Sequence, residues 1–260
     1  RLLEPLLRRY PEVMILLVKD IKTFLRDPAQ WSQVLIFFGI LTLYIGNLRN
    51  FQYQLDQPFY RNLISFLNLG ATCMTLATMT SRFVFPLISL EGQRFWVLGL
   101  VPIQRRHIVM AKFYYSFGGA LVLTASLVLL SNYILRDSID VLWIQLATAA
   151  LLSLGLSGLS VGMGAIFPSF KERNPSKIVS GFGGTLTLIL AITLVVFTIL
   201  GEGLLCHRFL VLRAADDPAR LDGYVRPIFV AVIGGVAVLN ILAAYIPMKL
   251  GIRALERVEF

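Results

Sequence analysis

The residues able to do chemistry are few, and their spacing brings none of them together. His107 and His207 are both expected in loops, and no HExxH, no serine–histidine arrangement and no paired His/Glu set within one apolar run occurs. Zinc hydrolysis and nucleophilic serine chemistry are therefore not indicated, and the sequence offers no catalytic, metal or cofactor-binding residue. The phosphate loop GxxxxGK[ST] is also absent, so no nucleotide binding is expected by that route. Cys73 and Cys206 are the only cysteines; two thiols at different depths exclude a disulfide scaffold. What remains are charges and turns at the ends of apolar runs: Arg82, Glu91 and the stretch from Pro168 through Asn174 to Lys177. Groups so placed hold or move a neighbouring segment.

The elements that must position them are six long runs almost without charge, Trp31–Leu48, Asn62–Ser81, Phe113–Leu135, Val141–Phe167, Ile178–Gly201 and Pro227–Met248. A spanning helix needs about 20 apolar residues to cross a core of about 30 Å. Backbone amides in lipid must bond internally, which leaves helices or a closed barrel. Barrel strands alternate apolar and polar residues, and these runs do not. The expectation is an all-α integral membrane protein with six transmembrane helices. Of its residues 57% are hydrophobic and 15% charged, against about a quarter charged in soluble domains.

The net charge of +9 follows the same topology. The segments 1–30, 82–112, 168–177 and 249–260 hold 17 of the 24 Lys and Arg residues. Basic residues collect on the cytoplasmic side, so both termini are expected inside, and no nucleic-acid partner is implied. Residues 1–30 read as an amphipathic interfacial helix, broken at Pro11, with apolar Leu16, Leu17, Ile21 and Phe24 against Lys19, Lys22 and Arg26. Residues 31–248 form the six-helix domain and 249–260 a cytoplasmic tail. Arg82 interrupts the second run and is expected at the headgroups, with an inner gate as its functional reading. Residues 202–226 read as the longest external piece. No run carries an ionisable residue near its middle, which argues against ion coupling inside the membrane. Gly158 and Gly162, extended by Gly155 and Gly164, form a small-residue face suited to close helix packing.

The most specific segment is Ile88–Ile103, between the second and third runs, which reads as a short amphipathic helix with Trp96 at the headgroups and Pro102 ending it. Here the chain resembles the membrane subunits of type-2 ABC exporters. The match runs in order through Glu91, Gly92, Phe95, Trp96, Pro102 and Lys112. A second match is Phe167-Pro168-Ser169-Phe170 followed by Asn174-Pro175-Ser176-Lys177. The resemblance covers nearly the whole sequence, and it is similar to the C-terminal six-helix half of a longer bacterial ABC permease, which would account for a chain beginning at Arg1.

The resemblance implies a permease subunit of an ATP-driven exporter in a bacterial inner membrane, forming half of a substrate pathway and not itself an enzyme. It implies a cytoplasmic coupling helix carried by Glu91, Gly92, Phe95, Trp96 and Pro102, an inner gate at Arg82, and a second cytoplasmic contact at Pro168, Asn174 and Lys177. Its partners would be ABC ATPase subunits holding ATP and magnesium, a second six-helix unit and membrane lipid. A carrier or channel not driven by ATP, a membrane scaffold and a membrane-embedded enzyme are the competing readings.

Overall fold

In a computed structural model of the chain, the structure describes residues 11–47, 58–91, 104–135, 139–172, 174–214 and 226–257. Among these residues there is no strand, and the helices are α1 (Pro11–Arg26), α2 (Pro28–Asn47), α3 (Pro58–Met79), a π-helical turn (Thr80–Val84), α4 (Leu87–Leu90), α5 (Arg105–Leu135), α6 (Ile139–Ile166), α7 (Pro175–Ser180), α8 (Phe182–Ala214) and α9 (Arg226–Glu256). Five helices are long and apolar enough to cross a membrane, and a sixth is reached if α1 and α2, bent by 76° at their junction, count as one span. The junction is built locally: Asp27 lies outside both helices, its carboxylate accepts a hydrogen bond from the Gln30 side chain at 2.9 Å, and Pro28 opens α2, where a proline has no amide to waste.

Two boundaries that differ from the sequence reading fall at charged residues. Arg82 does not end the second span. The helix passes through the π-helical turn and continues to Leu90, giving one span from Leu63 to Leu90. The residues after Arg82 are apolar, and Val84, Phe85 and Ile88 are buried, so packing carries the helix past one charge. Nor is Glu202 the start of an external loop: α8 continues to Ala214, and Glu202 is buried with Thr148 of α6 donating to its carboxylate.

Helix α6 is the centre. Of its membrane-crossing window 78% is buried, against 17% for α9. Leu152, Leu156 and Leu159 of α6 join Leu69, Cys73 and Leu76 of α3, Leu127 of α5 and Leu194 of α8 in one core. On its α9 side the small residues do what their spacing suggests. A Cβ added to Gly158 would lie 2.5 Å from the Ala244 Cβ, and one added to Gly162 would lie 2.4 Å from the Pro247 carbonyl carbon. Glycine lets these backbones approach where any side chain would collide. Buried polar pairs join the helices elsewhere: Gln145–Ser65 at 2.7 Å, Ser116–Ser157 at 2.9 Å, Thr124–Ser153 at 3.0 Å and Asn240–Thr198 at 3.2 Å. Outward-facing Leu43, Val122, Tyr133 and Phe197 are all more than half exposed, which is compatible with a membrane around the bundle.

Candidate functional site

One end of the bundle gathers the charged residues that the sequence scatters. Helix α1 lies against the first turns of α5, with Leu16, Ile108 and Ala111 buried between them and Val13 and Phe170 packed alongside. The Phe24 ring meets Tyr115 edge-on at 6.4 Å. On this apolar contact sits a cluster of four charges. The Lys112 ammonium donates to Asp20 of α1 at 2.8 Å and to Glu91 at 2.6 Å. Lys19 also donates to Glu91 and stands 3.6 Å from Asp20. Lys112 and Asp20 are buried, and the Glu91 side chain is 14% exposed. Two ammonium groups balance two carboxylates, the condition under which charge is tolerated away from water.

The cluster joins three segments: α1, the end of α4 and α5. Burial by itself raises the Glu91 carboxyl, but the ammonium groups of Lys112 and Lys19 more than offset it and hold the group below its ordinary value. One oxygen each of Asp20 and Glu91 is buried with no hydrogen-bond partner among the described residues. Further ties surround the cluster. His107 pairs with Glu12 at 2.7 Å, and the Arg105 guanidinium donates to the Leu255 carbonyl near the end of α9. The Ser169 amide donates to the Ser89 hydroxyl at 3.0 Å, fixing the Pro168 turn beside α4.

The expected site residues fall unevenly on this frame. Glu91 and Lys112 are central to the cluster. Gly92, Phe95, Trp96 and Pro102, the remainder of the expected coupling helix, lie outside the described residues. Pro168 is half-buried next to Ser89, while Asn174 and Lys177 are exposed. Asn174 caps α7, its side-chain oxygen accepting from the Ser176 amide at 3.0 Å. Lys177 reaches Glu172 only at 4.0 Å with both side chains exposed, an arrangement that contributes little. Arg82 is exposed, and no ion-pair partner is found for it among the described residues. The sequence did not single out Asp20, and it marked Lys19 only as part of a basic helix face. The signal was one acidic residue between two lysines in an otherwise basic amphipathic stretch.

A bundle with five to six helices fit for a membrane, its charges collected at one end, is the class that fold and site define. Over residues 1–260 the sequence matches the family described as "Putative ATP-binding cassette", and the chain belongs to that family. No curated protein and no solved structure matches it.

This membership corrects four expectations. An ATP-binding cassette is the ATP-hydrolysing kind of component, so the family overturns the identification as an exporter permease and, with it, the permease function. It does not favour the ATP-independent carrier, channel or scaffold either. It conflicts with a chain that is no enzyme, and it places ATP and magnesium with this family rather than only on a partner. The residues in hand do not fit that ligand by the common route. The sequence has no GxxxxGK[ST], and the described residues contain no strand to lead into such a loop and no group of three or more His, Cys, Asp or Glu able to hold a metal ion. A glycine-rich loop between strand and helix, with a carboxylate set for magnesium, is what nucleotide binding ordinarily requires. No step through the nucleotide follows from this geometry.

Proposed function

We propose that this chain is a membrane-embedded member of an ATP-binding cassette transporter complex, and that the Lys112 cluster is the joint through which movement enters its helices. The observation that carries the reading is Lys112, buried and paired with Asp20 and Glu91 at once. Residues 92–103 connect Glu91 to the start of α5, and both attachment points are held: Glu91 by two ammonium groups, Arg105 by the end of α9. A push on that connection is passed to α1, α5 and α9 together, because each is tied to it by a short polar contact.

In this reading Glu91, Gly92, Phe95, Trp96 and Pro102 receive the movement that ATP hydrolysis drives in the complex. Pro168, whose turn is tied to Ser89 through the Ser169 amide, forms with Asn174 and Lys177 a second contact at the same end, and Arg82 guards that end of the second span. The bundle sits in a bacterial cytoplasmic membrane with this end and both termini inside, as the 17 clustered basic residues favour, and pairs with a second helical unit.

The test is ATP turnover by the complex purified with its natural subunits. Glu91→Gln removes the charge and keeps the shape. It is expected to lower turnover at least tenfold while the helical circular dichroism of the complex is unchanged. Full turnover in both Glu91→Gln and Lys112→Met would show that the cluster is not a joint.

A further inference from the structure

A cavity of about 1050 Å³ lies between α1, α2, the second span and α5. Its walls include Leu17, Ile21 and Phe24 of α1, Phe38 of α2, Phe83 of the π-helical turn and Leu123 of α5. Its basic side chain Arg106 lies where α5 begins, beside Gln104 and His107, while Gln30, Thr80 and Ser116 also line it. His107 is engaged by Glu12. Arg106 is exposed, and no ion-pair partner is found for it among the described residues.

We propose that this cavity binds one anionic membrane lipid, its headgroup on Arg106 and an acyl chain between α1 and α5. Three observations converge. The space opens to the surroundings, with Ile21, Leu25 and Val122 exposed along it; an exposed apolar groove so lined calls for an apolar occupant. Its length suits a chain: from Arg106 to Leu123 along α5 is about 25 Å at 1.5 Å per residue, more than the roughly 15 Å of one leaflet's hydrocarbon. Its charge suits an anionic head, because Arg106, one residue into the helix that opens this span, offers an exposed guanidinium with no ion-pair partner among the described residues. The α1–α2 bend forms one wall, so the lipid lies under the same helix that the Lys112 cluster holds to α5.

The geometry supplies its own filling variant. Gly118 and Gly119 of α5 line the cavity, and a Cβ added at either meets nothing within 4 Å. Gly119→Phe therefore fills the space without a clash at its Cβ and also favours the helix. The protein, in its full complex, is reconstituted in vesicles of phosphatidylglycerol and phosphatidylcholine with identical chains. It is released in mild detergent and weighed by native mass spectrometry. The wild type is expected to retain one lipid per chain, with phosphatidylglycerol preferred. Arg106→Gln should lower that preference about fivefold, the equivalent of about 1 kcal/mol for one basic residue near an anionic surface. Gly119→Phe should lower retention of both lipids at least tenfold with helical content intact. No retained lipid, or retention unaffected by Gly119→Phe, overturns the proposal. So does a chain that self-associates with this face buried and is dispersed by Gly119→Phe, because the occupant would then be a second copy.

Discussion

Replacing Lys112 by methionine keeps the length of the side chain and removes its charge. In the native cluster this ammonium lies within 2.8 Å of Asp20 and 2.6 Å of Glu91, and its side chain is only 4% exposed. Removing one partner from a buried ion pair costs about 3–5 kcal/mol, because the remaining charge stays buried without compensation. Lys19 still reaches Glu91 and stands 3.6 Å from Asp20, so the lower end of that range, about 3 kcal/mol, is expected. The loss falls on the docking of α1, which otherwise rests on Leu16, Ile108 and Ala111. About 3 kcal/mol corresponds to roughly a hundredfold change in a local opening equilibrium. Hydrogen exchange read by mass spectrometry should therefore quicken about a hundredfold in α1 and remain unchanged in α6. The triple variant Asp20→Asn, Glu91→Gln, Lys112→Met removes every charge that Lys112 touches and should recover most of the protection, since neutral replacements of buried ion pairs are often nearly neutral in stability. Unchanged exchange of α1 in Lys112→Met, or an equal rise in α1 and α6, would refute the assignment of Lys112 as the latch of this helix.

Acid should loosen the same helix. The Glu91 carboxyl is held below its ordinary value of 4.5 by Lys112 and Lys19 despite burial, so the stability it contributes is present above that value and is lost as pH falls through its folded-state value. Exchange of α1 should quicken on acidification below about pH 4.5, and Glu91→Gln should flatten that dependence. At the seam of α6 and α9, Gly158→Leu must displace Ala244, whose Cα would lie 2.6 Å from the added Cβ; a loss of about 1–3 kcal/mol is expected as a lowered melting temperature, while Gly39→Ala, with nothing within 4 Å, should cause none. Asn174→Ala removes the cap of α7 and should cost about 1 kcal/mol, read as faster exchange confined to residues 175–180.

What was legible in the sequence was what one period and one length can carry. The apolar runs mark the helices, and the glycines of α6 mark their own close approach. The boundaries at Arg82 and Glu202 were misread for a shared reason. Each charge interrupts an apolar run, and a run-length argument stops there, whereas the helix continues because apolar residues follow on the other side. Glu202 finds Thr148, 54 positions earlier, a contact that no local pattern announces. The charge cluster shows the same limit. Lys112 is recognisable as a basic residue early in the third span, but its partners are 92 and 21 positions away, and only the docking of α1 brings them within reach. The nucleotide expected of the family has no legible signature in this chain.

The seam of α6 and α9 has a consequence for how the protein is made. Helix α6 is the most enclosed span and α9 among the least, yet α9 covers the glycines of α6 and follows it in the chain by some sixty residues. While the chain is being synthesised from its amino end, α6 is made before its cover exists, with Gly155, Gly158 and Gly162 open to whatever surrounds the nascent chain. Among the described helices, α9 closes this seam. A chain cut before Arg226 therefore loses more than one peripheral span: it leaves the central helix open along its length, and quality control acting on such a product would be responding to an unfinished seam.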